Sequence, residues 1–350
     1  MGSRLSREVP VRALLSLQAG GPETLRIREI DEPSPGPGQV AVTVHACGVN
    51  FPDVLVIEDR YQLRPPRPFS PGSELAGVVR AVGEGVASPG VGDRVSASLP
   101  FGAMAEVVIV SADRCTVVPG AMPFDEAAAF QVTYGTVYHA LVGRAGLRQG
   151  ETLLVLGAGG GIGLAAVELG KALGARVVAA ASSQDKLDAA LAMGADAVVL
   201  YPRAFEDVGQ ARAFTEAVRA ACGGEGADIV IDPVGGAYAE PAFRAIAGQG
   251  RYLVVGFAAG IPAIPLNLVL LKAAQIIGVF WGAYMASHPQ AGARDMGVLL
   301  DLYVAGKIRP CVSERYSLER GGEAIARLGS RGVSGKIVVD VQSSESRTNA

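Results

Sequence analysis

The sequence predicts an α/β chain of two domains: a compact β-barrel-like domain and a doubly wound parallel sheet of six strands. Three observations carry this. The first is a Pro- and Gly-rich stretch of short β-like runs up to about residue 130. The second is a regular alternation of apolar strands and helices from about Leu153 onward. The third is bulk: 350 residues, 49% hydrophobic and 19% charged, are enough for two cores and too apolar for disorder.

In the first stretch, VAVTVHACGVN (Val40–Asn50), ELAGVVRAVGEGV (Glu74–Val86), DRVSASL (Asp93–Leu99) and AEVVIV (Ala105–Val110) read as strands. No long helical pattern occurs before Phe124. In the second, strands are expected near 153–156, 176–181, 197–199, 228–232, 252–255 and 276–280. Helices are expected to start near Gly161, Gln184, Ala204, Gly236 and Asn267. Runs such as LLVL and DIVID are apolar on both faces, as in a parallel sheet covered on each side. From about Asp301 the character is mixed again, and GKIVVD (Gly335–Asp340) reads as a strand that rejoins the first domain. The expected layout is therefore 1–130 with 301–350 as one domain and 131–300 as the other. Ser343–Ala350 is polar and expected to fray.

The net charge of −3 and the lack of a basic stripe argue against nucleic-acid binding. Four scattered cysteines without a CxxC pair point to reduced thiols and a cytoplasmic setting. The uncharged stretch Tyr252–Leu271 is broken by Pro262 and Pro265, so no membrane span is expected.

Gly157, Gly160 and Gly163 form a GxxGxxG turn between an apolar strand and an apolar helix. Such a turn lets backbone approach a pyrophosphate and aims the free N–H groups of Gly161, Ile162 and Gly163 at it. A glycine-rich packing turn is the alternative. The tip of the second strand reads Ala181, Ser182, Ser183, with no carboxylate for ribose hydroxyls. Ser182 and Lys186 suit a 2′-phosphate, which points to NADPH rather than NADH. The competing reading makes Ser183 a helix cap and Lys186 a surface residue.

GVNFPD (Gly48–Asp53), PGSELAGVV (Pro71–Val79), VGDRV (Val91–Val95) and the glycine turn together resemble the medium-chain dehydrogenase/reductases, and among them the zinc-free NADPH:quinone oxidoreductase (zeta-crystallin-like) family. The resemblance runs from about Val11 to Asp340. It implies a GroES-like β-barrel domain, a Rossmann-type nucleotide domain and an active site in the cleft between them. The alcohol dehydrogenases of the superfamily carry zinc ligands where this chain has Asn50 and Ser73; an amide and a hydroxyl are not normal ligands for such a site, so no metal is expected. His45 and Cys47 have no further partners in sequence, and neither His139 nor His288 has a visible companion. Without a Lewis acid, hydride transfer to an electron-poor acceptor such as a quinone or activated alkene is the feasible reaction.

The resemblance implies that Asn50 lies beside the nicotinamide or the acceptor carbonyl and that Tyr61 lines the substrate cleft, as proton donor or as a packed rim residue. Asp53 is an acidic residue near that cleft, more a structural hydrogen-bonder than a base. Leu55 departs from a family-like tyrosine. Cofactor contacts are implied for Thr136, Tyr201 (near the 2′-phosphate), Val255, Gly256, Phe257, Phe280 and Lys336. Trp281, the single tryptophan, is either over the cleft or in the core. IIGVF (Ile276–Phe280) is an apolar edge suited to a homodimer. The main expectation is NADPH-dependent quinone reduction. The alternatives are reduction of 2-alkenals, enones or enoyl-CoA thioesters, with Arg60, Arg64 and Arg67 as a basic entrance, and a non-catalytic, crystallin-like or RNA-associated NADPH-binding protein.

Overall fold

The computed structural model describes residues 10–342, so the tail Ser343–Ala350 lies outside the described residues. The chain divides into two compact units, Met1–Val132 with Val312–Ala350, and Thr133–Cys311. The second crossing falls later than residue 301 because a helix, Pro289–Val304, runs through that point.

The first unit is built on a seven-stranded sheet. Its order is Val312–Ser317, Lys336–Asp340, Gln39–Gly48, Glu74–Val82, Arg94–Ser98 and Cys115–Val117, and Val107–Ser111 also pairs with Gln39–Gly48. A separate antiparallel pair, Val11–Leu15 with Arg26–Ile30, completes its strands. The C-terminal strand returns to this unit, with Val338 opposite Gly48 and Val339 opposite Cys47. That register brings residue 336 near residue 50. Val40, Val42 and Val44 alternate into a core with Leu75, Val95, Met104 and Ile337, the period expected of a sheet with one buried face.

A short helix, Phe51–Ile57, went unread in the sequence because seven residues are too few to show a 3.6 period. Its start is nonetheless explicable. Asn50 is extended at the N-cap, Pro52 occupies the first turn, and the Asp53 carboxylate accepts from the Asn50 N–H at 2.7 Å.

The second unit holds a six-stranded parallel sheet: Ala197–Leu200, Arg176–Ala181, Thr152–Leu156, Ala227–Asp232, Ile246–Val254 and Gln275–Gly278, in that spatial order. Numbered by sequence this is 3-2-1-4-5-6, the doubly wound order in which the connections diverge between Thr152–Leu156 and Ala227–Asp232. Ligands in such sheets sit beyond the strand ends at that divergence. Gly161–Ala172 and Gln184–Ala192 start as expected. The next helix starts at Val208 rather than Ala204, because Asp207 caps it by accepting from Gln210 N at 2.8 Å. Helices Trp281–Ser287 and Pro289–Val304 were not foreseen. Among the described residues no helix is long and apolar enough to cross a membrane.

Candidate active site

Two constellations matter, one in each unit. In the nucleotide-type unit, the glycine turn leaves strand Thr152–Leu156 with Gly157 at φ +61°, a conformation that favours glycine. A Cβ on Gly163 would strike the Gly157 carbonyl oxygen and lie 2.6 Å from Ala158 Cα, so the helix packs on the turn with no room for a side chain. Gly160 is the N-cap of the 12-residue helix Gly161–Ala172, with no side-chain cap on its first N–H groups. Those donors and the helix dipole make an anion site. The residues therefore fit a dinucleotide pyrophosphate.

Around the turn the structure adds residues that the sequence did not single out. Asp232 ends its strand buried, and its Oδ1 accepts from Val234 N at 2.7 Å and Gly235 N at 2.8 Å. Its Oδ2 accepts from the Tyr252 hydroxyl at 2.6 Å. Burial pushes its carboxyl up, while the Tyr252 hydroxyl and the two N–H groups pull it down. The loop so fixed touches the turn: a Cβ on Gly157 would lie 2.7 Å from Val234 Cγ2. It is also tied to the loop after Ile246–Val254 by Gly236 N→Gly260 O and Ala259 N→Val234 O, both 2.7 Å. A carboxylate ending the apolar run DIVID was the available signal.

The sequence-derived cofactor residues fall into two groups. Ser182 stands just past the tip of Arg176–Ala181, half-buried, and the stem of Lys186 lies over Gly159, whose Cβ it would meet. Val255 and Gly256 follow their strand and donate to Asp232 O at 2.9 and 3.3 Å. Phe257 and Phe280 are exposed, and Thr136 is half-buried on helix Gln131–Tyr138. Tyr201 is buried against Phe214 and Tyr238, and its hydroxyl bonds the Gly157 backbone. Burial pushes its phenol well up, so the hydroxyl keeps its proton beside the glycine turn. Trp281 is core: Gly135 packs so close to its ring that a Cβ there would lie 2.7 Å away.

In the first unit, Asn50, Asp53, Ser73, Glu74 and Lys336 converge. Lys336 Nζ donates to Asn50 Oδ1 and Glu74 Oε1 at 2.7 Å each, and to Val49 O at 3.0 Å. Asn50 Nδ2 donates to Glu74 Oε1 at 2.8 Å, and lies 3.3 Å from Ser73 Oγ and 3.4 Å from Gly48 O. Glu74 Oε2 accepts from Val132 N at 3.0 Å. The side chains of Lys336 and Glu74 are 7% and 1% exposed, so this is a buried ion pair. The three ammonium protons of Lys336 all have acceptors within the unit. Glu74 was missed. Its signal was a lone carboxylate heading an apolar strand, matched by a lone lysine heading another.

Asp53 also accepts from Gly72 N at 3.2 Å. Burial pushes its carboxyl up to about 7, against the pull of the Asn50 and Gly72 N–H groups and the Lys336 charge. Tyr61 is half-buried against the same core, its phenol raised by burial and by the Asp53 charge. Between about pH 4 and pH 7 the folded protein thus holds a proton that the unfolded chain has released. Raising the pH through that window is expected to destabilise the fold, with no further loss from Asp53 above it. Glu168, likewise pushed up to about 7 by burial, contributes with the same sign. Urea unfolding at stepped pH is expected to show this slope, and Asp53→Asn to reduce it to the part left by Glu168; an unchanged slope would contradict the assignment.

Other expectations change here. Arg67 is tied to Ser16 Oγ, Asp59 and Ile57 O, so the three-arginine entrance loses one member, while Arg60 stays exposed in a surface pair with Glu58. His139 and His288 have a common companion, since both rings stack on Tyr284, with centroids at 4.1 and 5.4 Å. His45 stacks on Phe124. Among the described residues no three His, Cys, Asp or Glu side chains are grouped to hold a metal ion.

The chain matches the alcohol dehydrogenase GroES-like domain model over residues 36–120 and the zinc-binding dehydrogenase model over residues 161–294. It is 37% identical to the quinone oxidoreductase-like protein 2 of Bos taurus, covering 91% of this chain and 89% of that protein. The chain belongs to the medium-chain dehydrogenase/reductase family, in its quinone oxidoreductase-like branch. This medium-chain dehydrogenase/reductase is an oxidoreductase by family, with a GroES-like domain and a Rossmann-type sheet. A probable oxidoreductase from Mycobacterium abscessus shares the fold at a TM-score of 0.85 and 36% identity, over 95% of this chain and all (100%) of that one. Quinone oxidoreductase of Escherichia coli, solved with NADPH, matches at 0.84 and 27% identity, over 95% and 99%. The zinc of the second family model's description has no counterpart in the donor set here, where an amide and a hydroxyl meet at Asn50 and Ser73.

Proposed function

We propose that this chain is an NADPH-dependent reductase that transfers a hydride to a quinone without a metal. The observation that carries the cofactor choice is the carboxylate-free tip at Ala181–Ser183 with Lys186 lying over the glycine turn. The first N–H groups of Gly161–Ala172 would hold the pyrophosphate, and Ser182 and Lys186 the 2′-phosphate. Val255, Gly256, Phe257 and Phe280 follow the last two strands and would border the nicotinamide, with Thr136 a further contact. Bound NADPH supplies a hydride. The chain's task is to hold a conjugated acceptor and stabilise the charge that collects on its carbonyl oxygen. Asn50 and Tyr61 border that task, and Asp53 holds Asn50 in place. The names of the relatives support quinones. Enals and enones present the same conjugated carbonyl, whereas a CoA ester has lost Arg67 from its candidate entrance.

NADPH oxidation with 1,4-benzoquinone, phenanthrenequinone, 2-hexenal and crotonyl-CoA tests the reading, and quinones are expected to turn over fastest. No turnover above the blank with any of them would defeat it. Ser182→Asp with Lys186→Ala is expected to move the NADPH/NADH preference toward NADH by tenfold or more, since each 1.4 kcal/mol of lost phosphate binding is about tenfold. Retained NADPH selectivity in that variant would refute the phosphate assignment.

The proposal includes a homodimer. Gln275–Gly278 is the outer strand of its sheet, and the preceding helix Leu266–Lys272 exposes Leu266, Leu270 and Leu271. An apolar edge of this kind calls for a cover. Leu270→Glu with Leu271→Glu is expected to give monomers in analytical ultracentrifugation where the parent chain sediments as a dimer.

A further inference from the structure

We propose that the Ser73 hydroxyl is the hydrogen-bond donor offered to the acceptor's carbonyl oxygen, and that Lys336, Glu74 and Asn50 are positioning residues that aim it and strengthen it. The assignment rests on the reading of the chain as a reductase of conjugated carbonyls.

The geometry is directional. Lys336 Nζ donates to Asn50 Oδ1 at 2.7 Å, and the same amide's Nδ2 faces Ser73 Oγ at 3.3 Å, sharing that proton with Gly48 O at 3.4 Å. The amide cannot turn over. Its oxygen is claimed by the ammonium, and its other N–H by Glu74 Oε1 at 2.8 Å. A flipped amide would set its NH2 against Lys336 and its oxygen against a carboxylate. Ser73 therefore receives a donor on its oxygen, and its own proton has no acceptor among the described residues. Ser73 is half-buried, unlike the ion pair behind it.

Every bond in the row ammonium, amide, hydroxyl runs the same way, donor to acceptor, so the dipoles add. The positive end is a buried ammonium whose three protons are already committed. Its link to Ser73 runs through Asn50. Glu74 lies against the ammonium at 2.7 Å and balances its charge in this buried site.

The chemistry needs such a donor. The acceptor would gain one hydride, a proton with two electrons, from NADPH, which would be left as NADP+. The added negative charge collects on the acceptor's carbonyl oxygen, where a preformed donor is worth most. Ser73 keeps its proton throughout, and a solvent proton completes the neutral product. The row thus takes over the charge-stabilising part of a Lewis acid's work from the two positions, Asn50 and Ser73, that carry zinc ligands in the alcohol dehydrogenases.

The test uses the full chain in two assays. In the first, kcat and KM for quinone reduction are measured for Ser73→Ala, Ser73→Thr and the charge-balanced pair Lys336→Met with Glu74→Gln, with NADPH affinity by fluorescence as the control for folding. Ser73→Ala is expected to lower kcat about 100-fold, the usual loss for one such donor, with NADPH affinity unchanged. Ser73→Thr keeps the hydroxyl and is expected to restore most of it, and the double variant to fall between. In the second, 4-nitrophenol stands in for the charged oxygen, and its ionisation when bound is followed by absorbance. Wild type is expected to lower the bound phenol's pKa by about one unit, a tenfold preference for phenolate, and Ser73→Ala to abolish the shift.

Turnover and phenol ionisation that are both indifferent to Ser73→Ala overturn the assignment while leaving the reductase reading intact. A wild type that reduces no acceptor yet binds phenolate in a Ser73-dependent way defeats the reductase reading and upholds the donor. A kcat loss that Ser73→Thr does not restore, with no change in phenol ionisation, assigns Ser73 to packing and overturns the proposal.

Discussion

Gly163→Val is expected to abolish NADPH binding, lowering affinity by 100-fold or more, and to destabilise the nucleotide-type unit by about 1–3 kcal/mol. The loss comes from backbone, not from a side chain that could swing away. A Cβ at this position meets the Gly157 carbonyl oxygen and lies 2.6 Å from Ala158 Cα and 2.7 Å from Ala158 C. Any relief must lift the helix Gly161–Ala172 off the strand or open the turn, and both disperse the N–H groups that would hold the pyrophosphate. Gly160 makes the useful contrast. Its backbone is ordinary extended, φ −81° and ψ 171°, and a Cβ would meet only Gly157 O at 3.5 Å. Gly160→Ala is expected to melt like the parent but to weaken NADPH about tenfold, because the added methyl stands where a phosphate approaches. Fluorescence titration and thermal melts of the two variants separate the roles. Wild-type affinity in Gly163→Val would remove the basis for placing the cofactor here.

Glu74→Ala is expected to cost about 3–5 kcal/mol in urea unfolding of the first unit, since it strands the Lys336 ammonium in a site where the lysine is 7% exposed. Lys336→Met alone is expected to cost a similar amount by stranding the carboxylate. The pair Lys336→Met with Glu74→Leu removes both charges and is expected to recover most of the loss, as replacement of buried ion pairs by apolar residues often does. Such a recovery would separate stability from activity, because the apolar pair also leaves Asn50 unheld at both ends. A loss below about 1 kcal/mol in Glu74→Ala would mean that the pair is solvated, as surface pairs are.

The fold was legible to different depths in the two units. The six parallel strands and the turn after the first of them could be read from short apolar runs bounded by glycine or a polar cluster, although Ile246–Val254 showed only its last part because Gln249, Gly250 and Arg251 interrupt it. The helix at Phe51–Ile57 could not, since its evidence is a cap and a proline rather than a period. The late start at Val208 was hidden for a similar reason: Asp207 acts through one hydrogen bond to Gln210 N, which competes with local pattern and wins.

The candidate site divides along the same line. Gly157, Gly160 and Gly163 announce themselves because their spacing along the chain is the requirement. Ser182 and Lys186 follow from one strand's end and the next helix's first turn. These are local relations, and the sequence by itself determined them, together with the class of fold and the family resemblance. Tyr201, Lys336, Glu74 and Asp232 took their roles from partners far along the chain: Gly157 for the first, residue 50 for the second, residue 336 for the third, Tyr252 for the fourth. A lysine 286 residues from its asparagine acceptor becomes its neighbour only because the last strand pairs antiparallel with Gln39–Gly48. Only the tertiary structure decided that this lysine would be buried and balanced by a carboxylate, because burial and pairing are properties of strand register, which a chain specifies as a whole.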